Sequence, residues 1–478
     1  MVEGSLLTER QRHDLHLAIA QYLTPLLSSE EDRFTLPRVL QRLEIDESAT
    51  SENPNYLERK WLTILKLQKK ILDLETQLKV ANETIESLSQ NPSSDAGPTL
   101  DRLNWIPSKV DRVIKYHTQP VTALAIHPYK PLLATGSSDG SIVLWDLLDL
   151  AQPVSIARNA HSRGVSSLCF SPTDIHMGDD NTSNKLVVLA SASLDMFIKV
   201  WDPESNFTQL RSLVGHENMV SSITFNPNIP SELISCSKDT SIRLWDVSSG
   251  FCMLTFVGHS DWVRDVDVSE SGEYVLSCSN DQSIRISHKS TGSGIGLLLG
   301  HNQVIETAKF VPALANKYLD DICAKVLQID PSSEFLSNPQ FEKVGYKYAI
   351  SGGRDNTVRI WLLPLPVFKP GVDSPLPSST PEGLLIATLE GHSSWVKDIQ
   401  FHPNATVFAS CSDDATIKFW DPKKIAGSIE CVSVLKGHHG FVNSIAFAPL
   451  PSDSDISEAK MRCYFVSGSS DNITQLWS

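Results

Sequence analysis

The sequence predicts an all-β propeller of seven blades preceded by a small helical segment, on three observations. A histidine is followed by an aspartate seven times: His117/Asp139, His161/Asp195, His216/Asp239, His259/Asp281, His301/Asp355, His392/Asp414 and His438/Asp471. In six of these units a tryptophan stands six residues after the aspartate, at Trp145, Trp201, Trp245, Trp361, Trp420 and Trp477, whereas Ser287 takes that place in the fourth. The His-to-Asp interval is 22 or 23 residues in four units and longer in three, while the Asp-to-Trp interval is fixed. Insertions therefore fall between strands and spare the turn. A period of roughly 40 residues built from short alternating runs bounded by Ser, Asp and Gly is that of a four-stranded blade.

The chain starts with a different kind of sequence. Residues 8–27 place Leu15, Ile19, Tyr22, Leu23 and Leu26 on one helical face, with Thr8 three residues before Gln11 as a capping box. Val39, Leu40 and Leu43 form a second apolar set that can pack on it. A helix pair this small buries too little surface to stand alone, so residues 1–45 read as a dimerisation element. The run from Asp14 to Leu23 resembles a LisH motif.

Residues 56–90 read as a coiled coil. A heptad runs with position a at Leu57, Ile64, Ile71, Leu78 and Ile85 and d at Lys60, Leu67, Leu74, Ala81 and Leu88. β-Branched residues at three of the a positions with mostly leucine at d favour a parallel two-stranded coil, and the repeat is nearer 3.5 than 3.6 residues. Residues 91–108, which include the run NPSSDAGPT, read as a flexible linker.

The propeller is assigned to residues 109–478. Its first unit reads as strands Val121 to Ile126, Leu133 to Ser138 and Ile142 to Trp145. The sequence stops one residue after Trp477, so the seventh unit lacks an outer strand, and the alternating run Val110 to Lys115 is expected to supply it and close the ring. Residues 313–345 carry a possible amphipathic helix with Leu319, Ile322, Val326 and Leu327, and residues 363–383 are rich in Pro and Ser. With Ser287 in place of tryptophan, blade four is expected to hold its outer strand less tightly. Gly292 to Gly296 lacks the Lys-Ser/Thr of a phosphate loop and reads as a connector between blades.

Composition narrows the function. A net charge of −15 disfavours nonspecific binding to nucleic acid. The N-terminus has no apolar signal core, and no uninterrupted apolar run approaches the ~18 residues of a membrane span. Eight cysteines form no CxxC pair, and Cys236, Cys278 and Cys411 recur in Ser-Cys-Ser, the pattern of small buried core residues; neither a metal nor a cofactor is expected. His, Asp, Ser and Trp in every blade are the inventory of a hydrolase, but repetition argues for a structural device, with His216, Asp239 and Trp245, or His392, Asp414 and Trp420, as scaffold. Function then falls to the rim residues beside them: Met219, Trp262, Val304, Trp395 and Phe441 three after His; Lys238, Asn280 and Arg354 just before Asp; Arg264 and Lys397 five after His. Clustered Trp, Arg and Lys is the composition of an interaction hot spot, a positive island on an acidic chain.

The order of LisH motif, coiled coil containing Trp61 to Glu75 and seven Trp-Asp-type repeats resembles the lissencephaly/nuclear distribution family, its fungal members most of all. The resemblance implies a WD-repeat propeller and a noncatalytic homodimer, its dimer seam including Leu15, Ile19, Leu23, Ile64, Leu67, Ile71, Leu74 and Leu78. It also implies a cytoplasmic regulator on microtubules and at the spindle pole. There it would bind the cytoplasmic dynein heavy chain and a nuclear distribution E-type coiled-coil adaptor, act with plus-end and spindle-pole machinery, and serve minus-end transport, nuclear migration and spindle positioning. On this family's pattern the dynein-contacting rim includes Arg264, Arg354 and Trp395, with Lys238, Trp262 and Lys397 beside them. Ala415 stands where the family often has a lysine. The other reading is a generic LisH/WD scaffold subunit of a ubiquitin-ligase or chromatin complex.

Overall fold

The computed structural model describes residues 106–177, 185–328, 336, 338–368, 375–376, 383–405, 407–422, 431–448 and 465–478, and the single position 19. The chain divides after Gly97. The LisH and coiled-coil assignments, apart from position 19, and the linker up to residue 105 lie outside the described residues.

Seven four-stranded antiparallel sheets follow one another. Blade one consists of Val121–Ile126, Leu132–Ser137, Ile142–Asp146 and Ser155–Ala157, within a residue of the strands read from the sequence. In blade seven, Val442–Phe447, Phe465–Ser469 and Ile473–Trp477 are joined by Val110–Lys115, which pairs from Val110↔Trp477 to Lys115↔Ile473. Ser108 and Lys109 donate their backbone N–H groups to the Ser478 carbonyl at 3.0 and 3.2 Å, and Ser478 N–H returns a bond to Lys109 at 2.9 Å. Ile106 packs against the seventh blade's core. The last residues assigned to the linker, 106–108, thus belong to the propeller.

Each blade repeats one buried polar chain. In blade three His216 Nδ1 lies 2.8 Å from Asp239, His216 Nε2 lies 2.7 Å from Ser235 Oγ, and Trp245 donates its indole N–H to the same oxygen at 2.8 Å. Blades two, five, six and seven reproduce it through Ser191, Ser351, Ser410 and Ser467. The acceptor-only carboxylate fixes the proton on Nδ1, so the serine hydroxyl donates to Nε2. In blade one Ser141 intervenes, 3.0 Å from His117 Nδ1, and Asp139 stands back at 3.6 Å. The histidines, the hydroxyl residues and the indoles are buried and mutually satisfied, which avoids roughly 1–3 kcal/mol for each polar group otherwise stranded.

The network makes stability acid-sensitive. Burial alone would raise the Asp195 carboxyl, but hydrogen bonds from His161 and two backbone N–H groups outweigh it and hold the group at about 2. The other six turn aspartates are likewise held below the usual carboxylate range. The unfolded chain therefore takes up these protons first, and the stabilisation, complete above about pH 4, is lost as pH falls toward about 2. Burial also lowers His117, His301 and His438, which begin to erode stability below about pH 6.5. Asp398, raised to about 6 chiefly by burial, opposes this between about pH 4 and 6, and Asp267 and Asp413, also raised chiefly by burial, act in the same direction. The urea midpoint is expected to fall steeply below about pH 4. A midpoint as high at pH 3 as at pH 7 would contradict this.

The residue after every turn aspartate is left-handed: Gly140, Met196, Thr240, Gln282, Asn356, Ala415 and Asn472 have φ between 61° and 78°. Only Gly140 adopts this without cost. Ala415→Gly is expected to stabilise the propeller by about 1 kcal/mol, measured by chemical denaturation; a destabilised variant would refute the strain argument. In five blades glycine precedes the histidine, in blade six for a packing reason: a Cβ at Gly391 would lie 3.0 Å from the Trp420 ring.

Two sequence expectations about blade four are corrected. Its outer strand, Gly294–Leu299, pairs at five positions from Ser283↔Leu299 to Ser287↔Gly294, as many as in blade three. Ile284, Ile286, Ile295 and Leu298 fill the blade without the missing indole. The glycine-rich run is a turn at Gly292 followed by the start of that strand, not a connector between blades. In the fifth-blade insertion, Asn316–Leu327 is helical and buries Leu319, Ile322, Cys323 and Ala324. Val326, expected inside, is 49% exposed, whereas Leu327 beside it packs against the same core as Leu319 and Ile322. Cys236, Cys278 and Cys411 are fully buried, and burial raises their thiols.

Candidate partner-binding rim

One end of the propeller is built by two repeated backbone features. The residue before each turn aspartate donates its N–H to the carbonyl of the residue three after the histidine: Lys238 to Met219, Asn280 to Trp262, Arg354 to Val304 and Asp413 to Trp395, at 2.8–2.9 Å. The rim positions read from the sequence are therefore hydrogen-bonded neighbours. In each blade the pairing register also shifts between the fourth and sixth residues after the histidine, as between Val263 and Asp265 or Ile305 and Thr307. The extra residue is the one five after the histidine, and such a bulge re-aims its side chain. These residues are Thr122, Ser166, Ser221, Arg264, Glu306, Lys397 and Asn443, all lining one cavity of about 570 Å³ on the inner strands. Blades one, two, three and seven place hydroxyl or amide groups there. Only blades four, five and six place charges.

Around those charges the aromatic residues assemble. The Arg264 guanidinium stacks 3.7 Å from the Trp262 ring, and Lys238 of the preceding blade approaches the same ring at 5.2 Å. Arg354 lies 4.2 Å from Trp395 of the next blade, and Lys397 lies 5.3 Å from it. Trp262 donates its indole N–H to Ser221, and Arg264 Nε donates to Asn280 Oδ1 at 2.7 Å. All six residues singled out for the rim thus sit in two cation–π groups, each worth about 0.5–2 kcal/mol per contact.

The rim departs from the sequence reading in two ways. Its cations are not fully displayed: the Arg264, Arg354 and Lys397 side chains are 16%, 24% and 23% exposed, while Trp395 is 38% exposed. Nor is the island purely positive. Glu306 Oε1 lies 2.5 Å from Arg354 Nε and 3.8 Å from Lys397 Nζ, and its Oε2 lies 3.8 Å from Arg264. Burial would raise Glu306, but these three cations hold it below its usual range. Asp413 also faces the group, raised by burial against the pull of Lys397. Glu306 was legible in the sequence, five residues after His301, but a search for cations passes over it.

Further along the cavity, Lys309 meets Asp265 at 2.9 Å, with Asp267 and Asp398 close by. Among the described residues no cluster of His, Cys, Asp and Glu is arranged to hold a metal ion, and no helix is long and apolar enough to cross a membrane. The histidines and strand hydroxyl residues of the seven His–Asp–Ser/Thr sets are buried, and in the six tryptophan-bearing units the hydroxyl oxygen, of Thr135 in the first and of serine in the others, accepts an indole N–H. Such an arrangement supports a scaffold.

The comparisons with known proteins agree with the geometry. A model described as WD domain, G-beta repeat matches residues 108–146, 153–202, 207–246, 250–286, 383–421 and 429–478. The fifth blade, split by its insertion, falls between the fourth and fifth of these stretches. A Candida tropicalis protein named nuclear distribution protein PAC1 is 41% identical over the whole of both chains, and its Komagataella phaffii counterpart is 40% identical over 99% of this chain and 98% of its own. The Aspergillus niger nuclear distribution protein nudF is 29% identical over 99% of each chain. With blades, closure and full-length identity all in agreement, the chain belongs to the nuclear distribution (PAC1/nudF, lissencephaly) family of WD-repeat propellers.

Proposed function

We propose that the protein is a noncatalytic homodimeric regulator that binds the cytoplasmic dynein motor domain through this rim and so promotes minus-end-directed transport, nuclear migration and spindle positioning. The observation that carries the reading is the confinement of charge to three adjacent bulges, flanked by two tryptophans stacked on cations. A half-buried Arg–Trp cluster on an acidic protein is suited to an acidic, partly apolar surface, and anchors of this kind dominate binding energy. Relatives named for nuclear distribution support the pathway. The protein would act in the cytoplasm along microtubules and at the spindle pole, with an E-type adaptor as a second partner.

Dimerisation is assigned to residues 1–90, and two linked copies raise the apparent affinity for a partner that presents more than one binding site. The test is direct binding of the purified chain to dynein motor domain, together with motor velocity and microtubule dwell time. The intact chain should bind and alter dwell time. A fragment from residue 100, monomeric by light scattering, should bind more weakly. Absence of binding by the intact dimer would overturn the reading, and a dimeric fragment would overturn the assignment of the N-terminal region.

A further inference from the structure

We infer that Glu306 is a positioning residue, which holds Arg264, Arg354 and Lys397 as one pre-organised cluster for an acidic partner surface; the inference rests on the proposed role of the rim. Its carboxylate sits at the junction of both cation–π groups, within 4 Å of all three cations, and is 8% exposed. Three half-buried cations on neighbouring blades repel one another. Burial first, and then the charge of Arg354, disfavour the charged form of Arg264, whereas Glu306 favours it. If the rim worked by net charge alone, a carboxylate at its centre would weaken it. What the carboxylate supplies is order. Arg354 is fixed at Nε by Glu306 and at its guanidinium face by Trp395, so its remaining N–H groups stay available. A long side chain immobilised before binding does not lose that freedom on binding. Because Glu306 occupies a bulge, its replacement breaks no ladder pair.

The test compares wild type and Glu306→Gln in the full-length chain against purified dynein motor domain at about 150 mM salt. Glu306→Gln removes one negative charge from the rim, so association should be no slower; with the cations released, dissociation should be about tenfold faster. The thermal midpoint should move by less than about 2 °C. In an Arg354→Ala background the same substitution should add less than it does in wild type, because one of the three cations that Glu306 holds is already gone. Unchanged dissociation, or a slower association with dissociation intact, would overturn the proposal, the latter by making Glu306 a direct contact for a partner cation. Glu306→Asp, whose shorter arm cannot serve all three cations, should give an intermediate rate. If both variants unfold, the residue belongs to the fold and the proposal fails. Positioning is also readable without a partner, by nitrogen-15 NMR of the arginine side chains. Arg354 Nε–H should exchange slowly with solvent in wild type and fast in Glu306→Gln. Failure of wild type to bind the motor would sink the reading of the rim, whereas equal exchange in the two proteins would sink the role of Glu306.

Discussion

Deleting residues 108–116 is expected to unfold the propeller or leave it insoluble, although these residues lie outside every His-to-Trp unit. The segment provides the outer strand of blade seven through five paired positions and ties Ser478 down by three further backbone hydrogen bonds. It also places Ile114, 7% exposed, in a cluster with Val121, Leu124, Val466 and Leu476, so its loss opens the boundary between the first and last blades. Burying each aliphatic side chain is worth about 1.5–3 kcal/mol, and the open edge leaves a row of unpaired backbone groups. A total on the order of 5 kcal/mol is a large part of the stability of an ordinary domain. The control is a permutation. Ser108 and Ser478 are hydrogen-bonded neighbours at the ends of an antiparallel pair, so residues 108–116 appended after Ser478 through a short turn should restore the thermal midpoint. A deletion variant that melts like wild type would show that the ring does not depend on this closure.

The closure and the blades were legible because strand alternation, turn aspartates and the invariant Asp-to-Trp interval are local signals that the tertiary structure does not override. Blade four was misjudged for the opposite reason. Reading Ser287 as a loss treats the tryptophan as the source of strand pairing, whereas five ladder pairs and the aliphatic filling by Ile286, Ile295 and Leu298 hold that strand. The rim was half legible. Offsets from His and Asp placed Arg264, Arg354, Trp262, Trp395, Lys238 and Lys397 correctly on one end, because backbone pairing at those offsets recurs in every blade. What offsets cannot give is the distance across blade boundaries, and the convergence of three cations on Glu306 is a property of the folded ring alone. Val326 shows the same limit: helical periodicity names a face only to within a position, and in the last turn Leu327 rather than Val326 packs on the core.

Arg354→Ala combined with Trp395→Ala is expected to reduce motor-domain binding by at least about 100-fold while the propeller stays folded. Both residues emerge from turns whose hydrogen bonds are made by the backbone, Arg354 N–H to the Val304 carbonyl and Asp413 N–H to the Trp395 carbonyl, so truncation to alanine leaves the blade network intact. Each side chain is also the other's support, the guanidinium lying 4.2 Å from the indole, so the single variants should each lose much of the effect and the pair should fall short of their sum. Tryptophan and arginine at a desolvated centre commonly cost 2 kcal/mol or more each on truncation, which sets the order of the expected loss. Tyr129, 55% exposed in the loop joining the two innermost strands of blade one, lies at the opposite end of the propeller, and Tyr129→Ala should bind as wild type does. Salt separates the contributions further. Loss of Arg354 should flatten the dependence of affinity on ionic strength, whereas loss of Trp395 alone should shift affinity and leave most of the slope, since the indole carries no charge. A double variant that binds the motor like wild type, with circular dichroism and thermal midpoint unchanged, would move the binding surface elsewhere on the propeller.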